Sequence, residues 1–308
     1  MSRILLLLPA LASLLLTACQ PALEPGPRVE FVGSSRYNTS NRRLTTPGDT
    51  VANNVYAKAD GSPLTRLRIT VDYEPVPEPV IYDPLQDPPN RTFTYLDLAL
   101  PASAREEFAF QSVQPTRTTA GLEVWNYTFT DAEGRTGVRS LRLRLGRADS
   151  AAAYHSYTVT VQAPGPKRRR FLALREGLVL PDFSVIDLPQ NQPLIDLVYA
   201  PQAGTAAPTF ATPADDALGL SWLNPRRTLI RSTTLTAADF TATSTPAALT
   251  TAFTNGSAFL TRPTSTGVLQ EGQVIAFQTP EEKYGLLLVQ TIVSTGIRSV
   301  VVQVRVSK

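Results

Sequence analysis

Apolar residues follow the two-residue period of β-strands along most of the chain. In the segment 299–306 every second residue is a valine, and Trp125, Tyr127 and Phe129 alternate with smaller or polar residues. Alternate side chains of a strand point to opposite faces of a sheet, so each pattern predicts a strand with one buried face. Threonine and valine are abundant and apolar residues at helical spacing are rare, so the predicted fold class is mainly β.

The first half of the chain contains seven predicted strands separated by turn residues. They are Val29–Val32, Thr50–Ala59, Leu64–Tyr73, Thr92–Leu100, Phe108–Val113, Val124–Thr130 and Val138–Leu145. This number of short strands is typical of a β-sandwich. The hairpin of the last two strands resembles the end of immunoglobulin-like and PKD-like domains of bacterial surface proteins. Residues 28–147 are therefore predicted to form an immunoglobulin-like sandwich.

After a linker at 148–153, residues 154–308 are predicted to form a second, mostly antiparallel β domain with one or two short helices. Its strands are Tyr157–Val161, Phe171–Leu174, Leu178–Leu180, Leu194–Tyr199, Val274–Gln278, Tyr284–Ser294 and Ser299–Val306. One helix covers Thr236–Phe240. The other has Thr245 as N-cap, Pro246 at its first position and Gly256 after its end, which is the usual asymmetry of helix ends.

The N-terminus has the pattern of an export signal. Arg3 precedes an apolar run, Ile4–Leu16, that falls short of the ~20 residues needed to cross a bilayer as a helix. Leu-Thr-Ala and then Cys19 follow, and this order resembles the lipobox of bacterial lipoproteins. The resemblance implies that residues 1–18 are removed and that Cys19 is acylated, with 19–27 as a spacer. The alternative is an ordinary secretory signal in which a cysteine falls by chance.

The same resemblance implies where the protein is located and what holds it there. Several acyl chains on Cys19 would anchor it stably in a membrane. Gln20 stands where an aspartate would favour the inner membrane, so the outer membrane is predicted. The residues after Cys19 lack an acidic run that resembles a surface-export signal, and the choice between the cell surface and the periplasmic face stays open.

The order of motifs in the second half also resembles a protein family. The segments 192–199, 235–240, 272–277 and 283–289 follow the order found in uncharacterised two-domain lipoproteins of the Bacteroidota type, which have an N-terminal immunoglobulin-like or PKD-like domain. The resemblance implies this architecture and a location in the cell envelope. It implies no catalytic residue, since its motifs are structural.

Composition excludes several classes of function. The net charge of +3 over 308 residues is too small for a typical nucleic-acid partner. With Cys19 as the single cysteine no disulfide partner exists, and no Cys/His set, calcium loop or nucleotide motif predicts a metal or cofactor. The single histidine, His155, lies in a stretch with the composition of a linker.

Carboxylate catalysis is the remaining enzymatic possibility. The doublets Glu106–Glu107, Asp215–Asp216 and Glu281–Glu282 place neighbouring side chains on opposite sides, so their members do not face each other across a substrate. Asp182, Asp187 and Asp196 would have to converge in the fold, which sequence does not show. We therefore predict no catalytic residue, and a carboxylate-dependent glycan hydrolase is the lowest-ranked alternative.

Four other features allow a structural or a functional interpretation. Trp125, Tyr127 and Phe129 fit a buried core better than a sugar-stacking platform. The basic run Lys167–Arg170 fits a solvated turn better than a lipid-headgroup site.

The proline-rich segment 74–89 fits an inter-strand loop, or a partner contact made by Ile81, Tyr82 and Leu85. Thr50 and Ser150 lie in tripeptides that match the O-glycosylation pattern of the Bacteroidota.

The predicted function is a noncatalytic binding or assembly module for a glycan or an envelope protein. The alternative is a structural component of the envelope.

Overall fold

Strands carry most of the regular structure, which confirms the mainly β prediction. The computed structural model describes residues 26–44, 50–75, 92–146 and 153–308. Cys19, Ile81, Tyr82, Leu85 and Ser150 therefore lie outside the described residues.

Two sheets make up the first half of the chain, a three-stranded sheet β1-β3-β6 and a five-stranded sheet β2-β8-β7-β4-β5. The strands are β1 (Arg28–Phe31), β2 (Arg42–Leu44), β3 (Thr50–Lys58), β4 (Leu64–Pro75), β5 (Thr92–Ala99), β6 (Glu107–Pro115), β7 (Gly121–Asp131) and β8 (Thr136–Leu145). Their inner faces share one hydrophobic core, so this half is a sandwich. The short strand β2 was not predicted. It pairs parallel to β8 at the edge of the sheet.

The second half contains two five-stranded sheets, which we call the middle sheet (β11-β10-β12-β13-β15) and the terminal sheet (β14-β16-β17-β18-β9). The strands are β9 (Tyr154–Gln162), β10 (Arg169–Ala173), β11 (Leu178–Pro181), β12 (Leu197–Pro201), β13 (Pro208–Ala211), β14 (Leu229–Ser232), β15 (Ser265–Val268), β16 (Val274–Gln278), β17 (Tyr284–Val293) and β18 (Ser299–Ser307). His155 lies within β9, opposite Val306. Its expected position in a linker was therefore wrong.

Short helices complete the fold. They are α1 (Asp182–Val185), α2 (Ala237–Ala242) and α3 (Pro246–Asn255), with 3-10 turns at Ala102–Ala104, Pro189–Leu194 and Asp216–Leu218. Thr236 and Asp239 form a capping box on α2. Thr245 caps α3 with Pro246 in its first turn, as the sequence predicted.

The middle sheet is buried on both faces. Phe171 and Val198 belong to the core of the first sandwich, whereas their neighbours Leu172 and Leu197 belong to the core shared with the terminal sheet. This explains why its strands are continuous apolar runs instead of alternating ones. Helices α2 and α3 cover the far face of the terminal sheet through a third core. The layers therefore follow in the order first sandwich, middle sheet, terminal sheet, helices.

The second half also covers a free edge of the first sandwich. Strand β5 lies at the edge of the five-stranded sheet. The Asn191 amide donates to the carbonyl oxygen of Thr94 at 2.6 Å, and the Ser184 hydroxyl donates to that of Tyr95 at 2.6 Å. Asn191 also donates to the carbonyl oxygen of Ser184 at 2.8 Å. Exposed edges invite unwanted pairing, so these contacts both protect β5 and hold the two halves together.

Candidate functional site

The aromatic residues of the β7 hairpin are core residues, which confirms the structural interpretation. Trp125 is 1% exposed, and Tyr127 and Phe129 are fully buried. The Trp125 ring packs edge-on against the Tyr95 ring, with 5.1 Å between the ring centres. The Tyr127 hydroxyl accepts a hydrogen bond from Gln114 at 2.9 Å. No sugar can stack on these rings while the sandwich is folded.

Glu123 is a fully buried carboxylate at the start of this hairpin. It accepts hydrogen bonds from the Trp125 indole N–H at 2.9 Å and from the backbone N–H of Arg117 at 3.1 Å. The Arg117 guanidinium lies 3.7 Å from it and 4.3 Å from the centre of the Tyr73 ring. Burial raises the pKa of Glu123, and the charge of Arg117 opposes this rise. The group is enclosed by its partners and acts as a structural tie.

Asp196 is the centre of a second enclosed network. Its carboxylate accepts hydrogen bonds from the Leu174 N–H at 2.8 Å, the Thr228 hydroxyl at 2.6 Å and Nε of Arg226 at 2.5 Å. Arg226 also forms a two-point contact with Glu281. Burial raises the pKa of Asp196, whereas the hydrogen bond from Arg226 lowers that of Glu281 to about 2. One arginine thus bridges the two carboxylates and ties the middle sheet to the terminal sheet.

Three other carboxylates of the sequence analysis also have defined partners. Asp182 accepts a hydrogen bond from Arg170 at 2.7 Å, so it is engaged with a different arginine from Asp196. Asp215 caps the 3-10 turn that follows it and binds Arg262 at 2.9 Å, as expected for an acid at a helix start. Glu107 accepts from the Tyr56 hydroxyl at 2.7 Å.

The basic run divides into two parts, so its description as a single solvated turn was only partly correct. Lys167 and Arg168 lie in the turn, and Lys167 has a left-handed φ of 58°. Arg169 and Arg170 belong to β10 and are half-buried. Arg170 pairs with Asp182. Arg169 lines a cleft between the two halves of the chain.

This interhalf cleft has a volume of about 100 Å³. It lies where the start of β3 and the end of β6 meet β9, β10 and β11. Its polar lining includes Thr50, Thr116, Thr158, Thr160 and Arg169, and Gly177 forms part of its wall. Thr50, one of the two predicted glycosylation residues, is exposed at the start of β3 and forms part of this lining.

The wall of the cleft at Gly177 is fixed by a close interhalf contact. The Thr118 hydroxyl donates to the carbonyl oxygen of Glu176 at 3.0 Å. Gly177 has a φ of 63°, and a Cβ there would lie 1.8 Å from the Thr118 hydroxyl oxygen. Only glycine satisfies both the backbone conformation and the close approach.

A second candidate site lies on the outer face of the sheet β2-β8-β7-β4-β5, which carries polar side chains. Asn126 donates to Asp72 at 2.7 Å and accepts from Ser140 at 2.7 Å. Towards the end of β8, Arg142 and Arg144 are exposed on the same face, and Arg43 of β2 lies directly beside Arg144. We call Arg43, Arg142 and Arg144 the arginine corner.

The arginine corner is a cluster of three positively charged side chains. Within the described part of the chain its three side chains form no ion pair. Like charges on neighbouring strands repel each other. The end of β4 and the start of β5 lie on the same side of the sheet as the arginine corner, since Glu74 lies beside Leu122 and Leu122 lies beside Arg144. Residues 76–91 connect these two strands in the sequence.

Two searches of the described residues bear on membrane and metal sites. None of the helices within 26–44, 50–75, 92–146 and 153–308 is long and apolar enough to span a bilayer. The same residues contain no group of three or more His, Cys, Asp or Glu side chains placed to hold a metal ion.

Comparisons with known proteins find resemblance in structure only. No family model matches the chain, and no curated protein sequence does. A DUF4466 family protein from Parabacteroides merdae is 10% identical, with a TM-score of 0.36, over 92% of this chain and 99% of that one. Spo0M, a sporulation control protein from Bacillus subtilis, is 13% identical, with a TM-score of 0.24, over 65% and 84%.

A third solved structure is the cycloalternan-degrading enzyme from Trueperella pyogenes. It is 9% identical, with a TM-score of 0.19, over 90% of this chain and 34% of that one. At these TM-scores the function has to be argued from this chain's own residues.

Sequence reasoning missed the arginines that organise these sites. Arg117 and Arg226 are surrounded by ordinary loop or strand residues and no motif marks them, whereas Arg169 belongs to the basic run, which gave no indication of a cleft. The signal that was available is the basic run, whose third member, Arg169, continues into the apolar strand 171–174. A charged residue at the start of a strand that is buried on both faces needs a partner or a cleft.

Proposed function

We propose that this protein is a noncatalytic binding or assembly module, anchored to the outer membrane through acyl chains on Cys19. Its partner is a glycan or another protein of the cell envelope. The anchor and the location rest on the sequence pattern around Cys19. The binding role rests on the arginine corner.

The arginine corner supports a partner with acidic groups. Three exposed guanidinium groups lie together on one sheet face and pair with no carboxylate of the described chain. An anionic partner would relieve their mutual repulsion and form charge-assisted hydrogen bonds to them. Leu122 and Val124 lie opposite Arg144 and Arg142 and are half-buried, so the apolar stems of these arginines are placed beside apolar surface.

The proline-rich segment is proposed to contribute to the same binding surface. The described strand residues that flank it, at the end of β4 and the start of β5, lie on the side of the sheet that holds the arginine corner. Contacts by Ile81, Tyr82 and Leu85 would then add apolar area to a basic site. A partner that is both acidic and partly apolar fits this combination, as does an acidic glycan with an apolar sugar face.

The test compares three forms of the full chain in binding to a glycan array and in crosslinking to envelope fractions. Wild type is expected to bind a partner. The double variant Arg142→Glu/Arg144→Glu is expected to bind the same partner with an affinity at least tenfold lower. The control Arg105→Glu reverses an exposed arginine between β5 and β6 and is expected to bind as wild type does.

Deletion of residues 76–88 separates the two parts of the proposal. A folded deletion variant that binds more weakly supports a contact by the segment, whereas an unfolded one makes the segment structural. If the charge reversal leaves every interaction unchanged, the proposed surface is wrong and a purely structural role in the envelope is the better description.

A further inference from the structure

The interhalf cleft has the size of a small-ion site. Its volume of about 100 Å³ corresponds to roughly three water molecules. Ligand pockets for drug-sized molecules occupy about 300–1,000 Å³. The cleft therefore accommodates a small ion or the end group of a larger molecule, but not a whole sugar or nucleotide.

The charge of the lining selects an anion. Arg169 is half-buried in the cleft wall, and none of the described lining residues is acidic. Thr158 and Thr160 lie on the outward face of β9, and their hydroxyl groups make no hydrogen bond within the described residues. A guanidinium group with hydroxyl donors beside it is the donor set that oxyanions prefer.

Arg169 differs from the partly buried arginines that have a carboxylate partner. Four arginines whose side chains are 7% to 23% exposed pair with carboxylates: Arg117 with Glu123, Arg135 with Asp131, Arg170 with Asp182 and Arg226 with Asp196. The Arg169 backbone N–H donates to Gln162, but its guanidinium group forms no ion pair or hydrogen bond within the described part of the chain. Burying a cation without a counterion is costly.

The group nearest in charge terms to Arg169 is a tyrosine and not a carboxylate. Burial lowers the pKa of Arg169, and the group that opposes this shift is Tyr95. Tyr95 is 2% exposed, and its hydroxyl makes no hydrogen bond within the described residues. A neutral phenol cannot replace a carboxylate as the partner of a guanidinium group.

We propose that the interhalf cleft binds a small oxyanion, held by the guanidinium group of Arg169 and the hydroxyl groups of Thr158 and Thr160. Inorganic phosphate and the phosphate group of a sugar monophosphate share this chemistry. The inference goes beyond the proposed function, because its residues are separate from the arginine corner and either site can fail without the other.

The experiment is calorimetric titration of the full chain at constant ionic strength with inorganic phosphate and with glucose 6-phosphate. Saturable binding to one site is expected. Equal affinities for the two probes would identify free phosphate as a sufficient ligand, whereas tighter binding of the sugar phosphate would identify the larger molecule as the source. Binding of neither probe overturns the proposal.

Three variants locate the site. Arg169→Gln is expected to weaken phosphate binding at least tenfold, since it removes a charge-assisted contact. Thr160→Val keeps the shape and strand preference but removes one donor, and is expected to weaken binding about fivefold. The control Arg175→Gln changes an exposed arginine in the turn between β10 and β11 and is expected to stay within twofold of wild type. Equal losses in Arg169→Gln and Arg175→Gln would show nonspecific attraction and overturn the assignment.

Thermal unfolding separates a binding role of Arg169 from a structural one. Phosphate is expected to raise the unfolding midpoint of wild type but not that of Arg169→Gln. Without phosphate, the variant is expected to unfold at the wild-type midpoint or above it, because it loses an uncompensated buried charge. A lower midpoint in the absence of phosphate would make Arg169 a structural residue and refute the site.

Discussion

Replacing Asp196 with asparagine tests whether its network holds the middle and terminal sheets together. Asparagine keeps the size of the side chain but removes the negative charge and turns one acceptor into a donor. The new amide group would then face a donor among Leu174 N–H, Thr228 and Arg226. Because the Asp196 side chain is 1% exposed, water cannot compensate for the lost contacts.

The expected cost follows from this enclosure. Breaking a buried ion pair by removing one partner costs about 3–5 kcal/mol. Asp196→Asn should lie near the lower end of this range, because Glu281 still pairs with Arg226. Asp182 provides a matched control in the same half, because it also pairs with an arginine but its side chain is 40% exposed. An exposed pair contributes about 0–1 kcal/mol, so Asp182→Asn should be nearly neutral.

The free energy of unfolding of both variants is measured by urea titration, with tryptophan fluorescence and circular dichroism as the two probes. The expected order of stability is wild type, then Asp182→Asn close to it, then Asp196→Asn about 3–5 kcal/mol lower. The double variant Asp196→Leu/Arg226→Met should recover only part of the loss, because it removes both charges of the pair but leaves Glu281, the Leu174 N–H and the Thr228 hydroxyl without their partners. If Asp196→Asn costs no more than Asp182→Asn, the network does not carry the contact between the two sheets.

Three further predictions concern the interhalf contacts and the same network. Asn191→Ala should lower the free energy of unfolding by about 2–4 kcal/mol in urea titrations, because it leaves two buried main-chain carbonyl oxygens without a donor. Gly177→Ala should lower the thermal midpoint more than Gly296→Ala does; both have a φ of 63°, but only the Cβ at Gly177 would collide with a neighbouring side chain. Wild type should be more stable than Glu281→Gln at neutral pH, and this difference in the free energy of unfolding should shrink as the pH falls from 4.5 towards 2. The reason is that Arg226 holds the pKa of the Glu281 carboxylate near 2 in the folded state.

Each of these predictions has an outcome that would contradict it. An Asn191→Ala protein as stable as wild type would mean that water or backbone movement supplies the missing donors. Equal midpoints for the two glycine variants would remove the argument from close approach. A difference between wild type and Glu281→Gln that stays constant down to pH 2 would show that the salt bridge does not depress the pKa.

The sequence predicted those parts of the fold that have one buried face. Trp125 and its neighbours, the last strand, and the helix that begins at Pro246 all show the expected period or cap. The edge strand at 42–44 was missed because three residues are too few to show a period.

The middle sheet was predicted only in part for a different reason. Its strand segments, such as 171–174, are continuously apolar, so the pattern indicates burial without saying against what. A local sequence pattern also cannot predict which residues pair as buried charges, because partners such as Asp196 and Arg226 are 30 residues apart along the chain. The interhalf cleft depends on such long-range contacts and could not have been predicted.

The double burial of the middle sheet restricts how this protein can be rearranged by evolution or by design. A fragment that begins after the first sandwich would expose Phe171, Leu180 and Val198 to water as one apolar face. Such a fragment is expected to aggregate instead of folding alone. We therefore expect the two halves to fold only together, and an exchange of one half without the other to destabilise the protein.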